Sequence, residues 1–191
     1  MNMVAKEDEV KSILDVEYHA RLLADIDNVS ARARIPSHML HMSVTKYCNK
    51  NIVRWLKNWQ ERMAGGKAGM CLTGIPAEVG IGDQLMAITA LFVRHYIDAR
   101  FIVLNRLLDG MGTENEENPT VLVVPDLYVE GQGAKGNTNF QQQDVYGFLL
   151  ERFSKGKASI IYIQDIDKMR LDYGPVIADH YASSFDVIQI T

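Results

Sequence analysis

Cysteine is scarce in this chain. It occurs twice in 191 residues, at Cys48 and Cys71, too few and too far apart for a disulfide framework or a zinc site. The five histidines, His19, His38, His41, His95 and His180, show no ligand spacing. His38 and His41 lie close in sequence, but no acid or thiol pattern joins them, so no metal is assigned. No apolar run reaches the roughly 18 residues that a bilayer-crossing helix needs. The stretch from Met1 to Lys11 is polar and acidic, with no apolar signal region, and a cytoplasmic protein with free thiols is the expectation. Positive charge is in deficit. The net charge of −4 argues against a protein that coats nucleic acid over its whole surface, while leaving room for a local basic face. There is no internal repeat, no nucleophile elbow and no defensible Ser-His-Asp arrangement.

What is present reads as one α/β domain with a short appendage. Apolar residues recur at helical spacing over 6–27 (Val10, Ile13, Leu14, Tyr18, Leu22, Ile26), with acids on the opposite face. The stretch from Ser30 to Ser43 contains Pro36 and reads as irregular. Thr45–Met63 reads as one helix running into an Ala-Gly-Gly turn at 64–66. Short apolar strands are then expected at 70–73, 101–104, 121–124, 159–163 and 187–190, and helices at 83–97, 141–154 and 174–182. Buried strands alternating with helices imply a parallel sheet covered on both faces. Two long loops are expected, an acidic one at 109–119 and a Gly/Asn-rich one at 130–140. The domain division is 1–43 for a helical arm and linker, and 44–191 for the α/β domain.

Residues 70–85 carry the most specific local signal. An apolar strand enters a Gly/Pro-rich turn, Thr-Gly-Ile-Pro-Ala-Glu-Val-Gly-Ile-Gly-Asp-Gln, and an apolar helix follows. This is the setting of a phosphate-binding loop. Such loops end in Gly-Lys-[Ser/Thr], where the Lys meets phosphate oxygens and the hydroxyl holds Mg²⁺. Here Gly82 is followed by Asp83 and Gln84, and a carboxylate in place of the cation opposes triphosphate binding. Two other readings stay open. The turn is an ordinary strand–helix connection, or a Lys elsewhere, such as Lys67 or Lys135, replaces the missing cation.

From about Arg34 onward the chain resembles the AAA+ ATPase domain of bacterial replicative helicase loaders of the DnaC and DnaI type, and is similar to the transposition helper IstB. Arg34-Ile35-Pro36 resembles the segment before the family's first helix. Gly74-Ile75-Pro76 with Gly80-Ile81-Gly82 resembles the P-loop, with Ala77-Glu78-Val79 inserted. Val121 to Leu127 resembles the Walker B strand, Ser159 to Ile163 the sensor strand, and Gly174 to His180 the Gly-Glu-Arg-Val-Met-Asp-Arg segment. The resemblance implies a three-layer domain with a five-stranded parallel sheet. The last expected strand reaches 190, so no C-terminal lid is expected.

Carried over position by position, the resemblance implies a lost catalytic set. Asp83 stands for the phosphate Lys and Gln84 for the Mg²⁺-holding hydroxyl. Pro125 stands for the metal-binding acid of Walker B, and Asp126 for the following acid that orients water. Asp165 falls near the sensor Asn, and His180 falls at the Arg that reaches a neighbouring subunit's nucleotide. Phosphoryl transfer depends on positioning and charge stabilisation, so these replacements together remove about 3 kcal/mol or more of transition-state stabilisation. No catalytic residue and no cofactor are assigned; Mg-ATP enters only if the loop is rescued. Asp126 has a second reading, as a loop-capping acid.

Lys46, Lys50, Arg54 and Lys57 are spaced by four, four and three, which places them on one side of a continuous helix. Such a stripe suits phosphate-backbone contacts with DNA, or is a solvated face. Arg32 and Arg34 would extend it, and Trp55 and Trp59 offer stacking surfaces or core packing. The 6–27 helix docks on its own domain or on a partner protein. The resulting expectation is a catalytically degenerate, helicase-loader-like scaffold in phage or mobile-element DNA replication. Its partners would be a replicative helicase or another replication protein, DNA, or both. The alternatives are an active loader with an atypical P-loop and an IstB-like transposition helper. A homo-oligomer is one of the partner readings; relatives of this type assemble through the nucleotide site, and a lost site leaves the assembly open.

Overall fold

The computed structural model describes residues 20, 24–76, 79–110, 118–130 and 139–190. Its centre is a five-stranded sheet built from β1 (Gly69–Thr73), β2 (Ala99–Phe101), β3 (Val121–Tyr128), β4 (Ala158–Ile163) and β5 (Phe185–Gln189). Every pairing is parallel, and the order across the sheet is β2-β3-β4-β1-β5. The strands alternate with helices α5 (Ile81–Arg94), α6 (Leu104–Gly110), α7 (Asn139–Ser154), α8 (Ile166–Tyr173) and α9 (Pro175–Ser184). Ahead of the sheet come α1 (Ile26–Ala33), a 3-10 turn (Ser37–His41), α2 (Val44–Tyr47), α3 (Lys50–Lys57) and α4 (Trp59–Ala64).

Side-chain alternation divides the core in two. Met70, Leu72, Val121, Val123, Ile160 and Tyr162 face Ile52, Leu56, Leu85, Ile88 and Leu91 of α3 and α5. Their neighbours Cys71, Leu122, Val124, Ile161 and Ile163 face Val145, Leu149, Ile177 and Tyr181 of α7 and α9. Apolar runs with no polar alternation are the signature of strands buried on both faces. A smaller cluster of Ala33, Ile35, Leu40 and Ala90 packs α1 and the 3-10 turn on α5.

Several expected elements are corrected. Thr45–Met63 is three short helices. Cys48 is extended after α2, and Asn49 caps α3 by accepting from the N–H groups of Asn51 and Ile52, each at 3.0 Å. Asn58, with φ −116° and ψ 16°, separates α3 from α4. Asparagine side chains compete for backbone donors as Asn49 does and favour caps over helix interiors, whereas Asn58 makes no side-chain cap bond. The region from Ser30 to Ser43 is more regular than expected, since α1 runs to Ala33 and stops where Arg34 adopts a left-handed conformation (φ 59°). The second strand lies at Ala99–Phe101 rather than 101–104, and the helices α6 and α8 were not expected. Most of the 6–27 helix, and the centres of both long loops, fall outside the described residues.

Candidate functional site

The loop between β1 and α5 leaves the carboxyl end of an interior strand, flanked by β4 and β5, on the side where open α/β sheets place their ligand crevice. Its entry is pinned on both sides. The Gly74 N–H donates to the Gln164 carbonyl at 3.0 Å, and the Tyr162 hydroxyl donates to the Gly74 carbonyl at 2.8 Å. Gly74 has φ 102°, and a Cβ there would stand 2.5 Å from the Ile190 carbonyl oxygen, so this position demands glycine. At the exit, Gly80 precedes α5 with no side-chain cap, and Gly82 lies within the first turn.

Asp83 is also in the first turn of α5. A carboxylate there interacts favourably with the positive end of the helix dipole, the same field that an anionic ligand would use. Gln84 is buried, and its side-chain amide donates to the Val79 carbonyl at 2.9 Å. It therefore ties the first turn of the helix back onto the preceding loop.

Pro125 and Asp126 sit inside β3. The register between β3 and β4 shifts between Val124 and Tyr128, as expected where a proline withholds a ladder N–H. Asp126 Oδ1 accepts from the Leu104 N–H at 2.8 Å, capping the start of α6. Burial raises its carboxyl above the ordinary range, against two lowering backbone hydrogen bonds. Of the two readings of Asp126, the capping role is the one with a bonded partner.

Asp165 accepts from the N–H groups of Asp167 and Lys168, at 2.9 and 3.0 Å, as the N-cap of α8. His180 packs edge-on against Tyr146, with ring centroids 4.9 Å apart, and its Nδ1 lies 3.2 Å from the Ser184 hydroxyl. Burial lowers its pKa. Among the described residues no group of three His, Cys, Asp or Glu could hold a metal ion, and no helix is long and apolar enough to cross a membrane.

The basic stripe survives in part. Lys50, Arg54 and Lys57 line one groove with Thr45, Cys48 and Val53, of about 340 Å³. Lys46 belongs to α2, beyond the break at Cys48, and lies over the Tyr47 ring at 5.5 Å. Trp55 and Trp59 are both buried and offer no stacking face. The Lys67 rescue fails on position. Lys67 precedes the amino end of β1 and donates to the Ser183 carbonyl, whereas the loop leaves the carboxyl end. Lys135 lies outside the described residues.

No family model matches the chain, and no curated protein matches it. Solved structures do. A crystal structure of the DnaC helicase loader aligns with TM-score 0.55 at 16% identity, over 82% of this chain and 100% of that one. A crystal structure of a DNA replication initiation factor aligns with TM-score 0.56 at 11% identity, and the replication initiator DnaA bound to AMPPCP and single-stranded DNA aligns with TM-score 0.54 at 12% identity. Each of these two matches covers 78% of this chain and 49% of the other, so the chain spans about half the length of each initiator. The chain has the AAA+ fold. The DnaC-type likeness read from its motifs holds at the level of fold.

Within the AAA+ frame, Gln164 is the residue that sequence reasoning missed. It follows β4, one position before Asp165. Its carbonyl accepts from the Gly74 N–H, its N–H donates to the Tyr128 carbonyl at 2.8 Å, and its side-chain oxygen accepts from the Glu130 N–H at 3.0 Å. One residue thus joins the loop after β1 to the end of β3. A polar amide directly after the apolar strand Ser-Ile-Ile-Tyr-Ile was the available signal.

Proposed function

We propose that this protein is a non-hydrolysing, helicase-loader-like scaffold in the DNA replication of a phage or other mobile element. On this reading it is cytoplasmic, with residues 1–43 as an arm and 44–191 as the AAA+-like domain, and it engages a replicative helicase and DNA. The observation that carries the reading is what occupies the nucleotide positions of an AAA+ frame. Asp83 puts a negative charge where phosphate would need a cation, Gln84 uses its amide to close the loop, and Pro125 offers no side-chain oxygen to a metal. The structural neighbours support the replication setting, since one is a helicase loader and two are replication initiators.

The test is a Mg-ATP titration with a hydrolysis assay on the full chain. No saturable binding at micromolar concentrations and no turnover are expected. Asp83→Lys should leave biological activity unchanged. Micromolar binding with turnover would favour the alternative, an active loader with an atypical P-loop. Co-purification with a hexameric replicative helicase, rather than with a transposase, separates the scaffold from an IstB-like helper.

A further inference from the structure

The groove on α3 is distinguished by what its charges lack. Lys50, Arg54 and Lys57 have no ion pair or hydrogen-bond partner among the described residues. Several cations elsewhere on the described surface are matched to acids: Arg32 and Arg100 to Asp98, Arg62 to Asp186, Lys168 to Glu130 and Arg170 to Asp179. The sequence of α3, Lys-Asn-Ile-Val-Arg-Trp-Leu-Lys, contains no acid. Three unneutralised cations in one groove of a chain with net charge −4 form a local positive field against the overall balance.

The geometry fixes the shape of the counterpart. The three cations sit at i, i+4 and i+7 of one helix, so they form a single row about 10 Å long at the usual helical rise. Val53, Thr45 and Cys48 complete the groove with small apolar and weakly polar groups. Lys46 lies over Tyr47, and Arg94 donates to the Leu40 and Met42 carbonyls. With both tryptophans buried, neither offers its ring for base stacking.

We propose that this groove binds the phosphate backbone of one nucleic-acid strand, without sequence preference, through Lys50, Arg54 and Lys57. The inference deepens the replication reading by giving its DNA contact an address, and it does not depend on the state of the nucleotide loop.

The protein supplies its own reporter. Cys48 lines the groove and is partly exposed, whereas Cys71 is fully buried, with a thiol pKa pushed up to about 12 by burial. Maleimide labelling of the native protein therefore reads Cys48. Saturating oligo(dT) should protect Cys48 from the maleimide. Fluorescence anisotropy with labelled oligo(dT) should show affinity falling about ten-fold or more in a Lys50→Ala/Arg54→Ala/Lys57→Ala variant, with the slope of log affinity against log salt shallower by about 0.7 for each cation removed. Lys155→Ala, at an exposed cation paired with Glu151, should change neither readout.

Wild-type protein that fails to bind oligo(dT), a triple variant that binds as well as wild type, or unprotected Cys48 in the bound state would each overturn the proposal. So would tighter binding of a random duplex, or better protection of Cys48 by polyglutamate, which would point to an acidic protein partner. ATP turnover by the same preparation would sink the scaffold reading alone.

Discussion

The indole N–H of Trp55 donates to the Asp186 carboxylate at 2.9 Å, across 131 positions of sequence. The bond anchors α3 to β5 at the margin of the sheet and turns the opposite side of the helix outward, where Lys50, Arg54 and Lys57 stand. Hydrogen bonds to charged groups contribute about 1.5–3 kcal/mol. Trp55→Phe should therefore lower unfolding free energy in urea by about that amount. Asp186→Asn should cost less, because an amide oxygen still accepts. Equal losses from both substitutions would show that packing, not the bond, sets the energy.

Asp126 gives a prediction with a pH sign. Its folded pKa is raised above the ordinary aspartate value of 3.8, chiefly by burial. A raised carboxyl favours the fold when protonated, so its stabilising contribution is complete below 3.8 and is lost as pH rises through the folded value. Asp126→Asn keeps an acceptor for the Leu104 N–H and removes the buried charge. It should be neutral to stabilising at pH 7 relative to wild type, with the advantage vanishing below the ordinary carboxyl range. Asp126→Ala removes the cap and should cost about 0.5–2 kcal/mol. Thermal melts at neutral and acid pH separate these outcomes.

Arg152 is almost wholly buried, and its guanidinium donates to the Ala158 and Pro119 carbonyls, the Asn118 side chain and the Ser159 hydroxyl at 2.7–3.2 Å. Burial pulls its pKa down to about 10, so it remains a cation at neutral pH. Arg152→Met fills similar space but strands four acceptors, and should destabilise by about 3–5 kcal/mol. Lysine should recover only part of this, since it lacks the planar fork. A loss under 1 kcal/mol by urea denaturation would mean that the acceptors find other donors.

The sheet was legible because its strands are dense apolar runs, such as Val121 to Val124 and Ser159 to Ile163, separated by polar turns. Ala99–Phe101 was misplaced because Arg100 interrupts it and the apolar pattern continues through Ile102 and Val103 into α6. Local asparagine chemistry was underweighted. Asn49 and Asn58 break what periodicity alone reads as one helix, and with that break Lys46 leaves the cationic row. At the loop, the identities of Asp83, Gln84 and Pro125 were plain in the sequence. The bond from Gln84 to Val79 and the hub at Gln164 were not, because both depend on where the chain returns in space.

The two borders of the sheet are unlike its interior. β2 has three residues, and β5 has five, alternating between buried and accessible, with a polar side chain at Asp186. Short rims bearing charge are poor templates for another strand. Copies of this protein should therefore resist joining rim to rim into fibrils, and an assembly built from it would have to grow through its helices and loops.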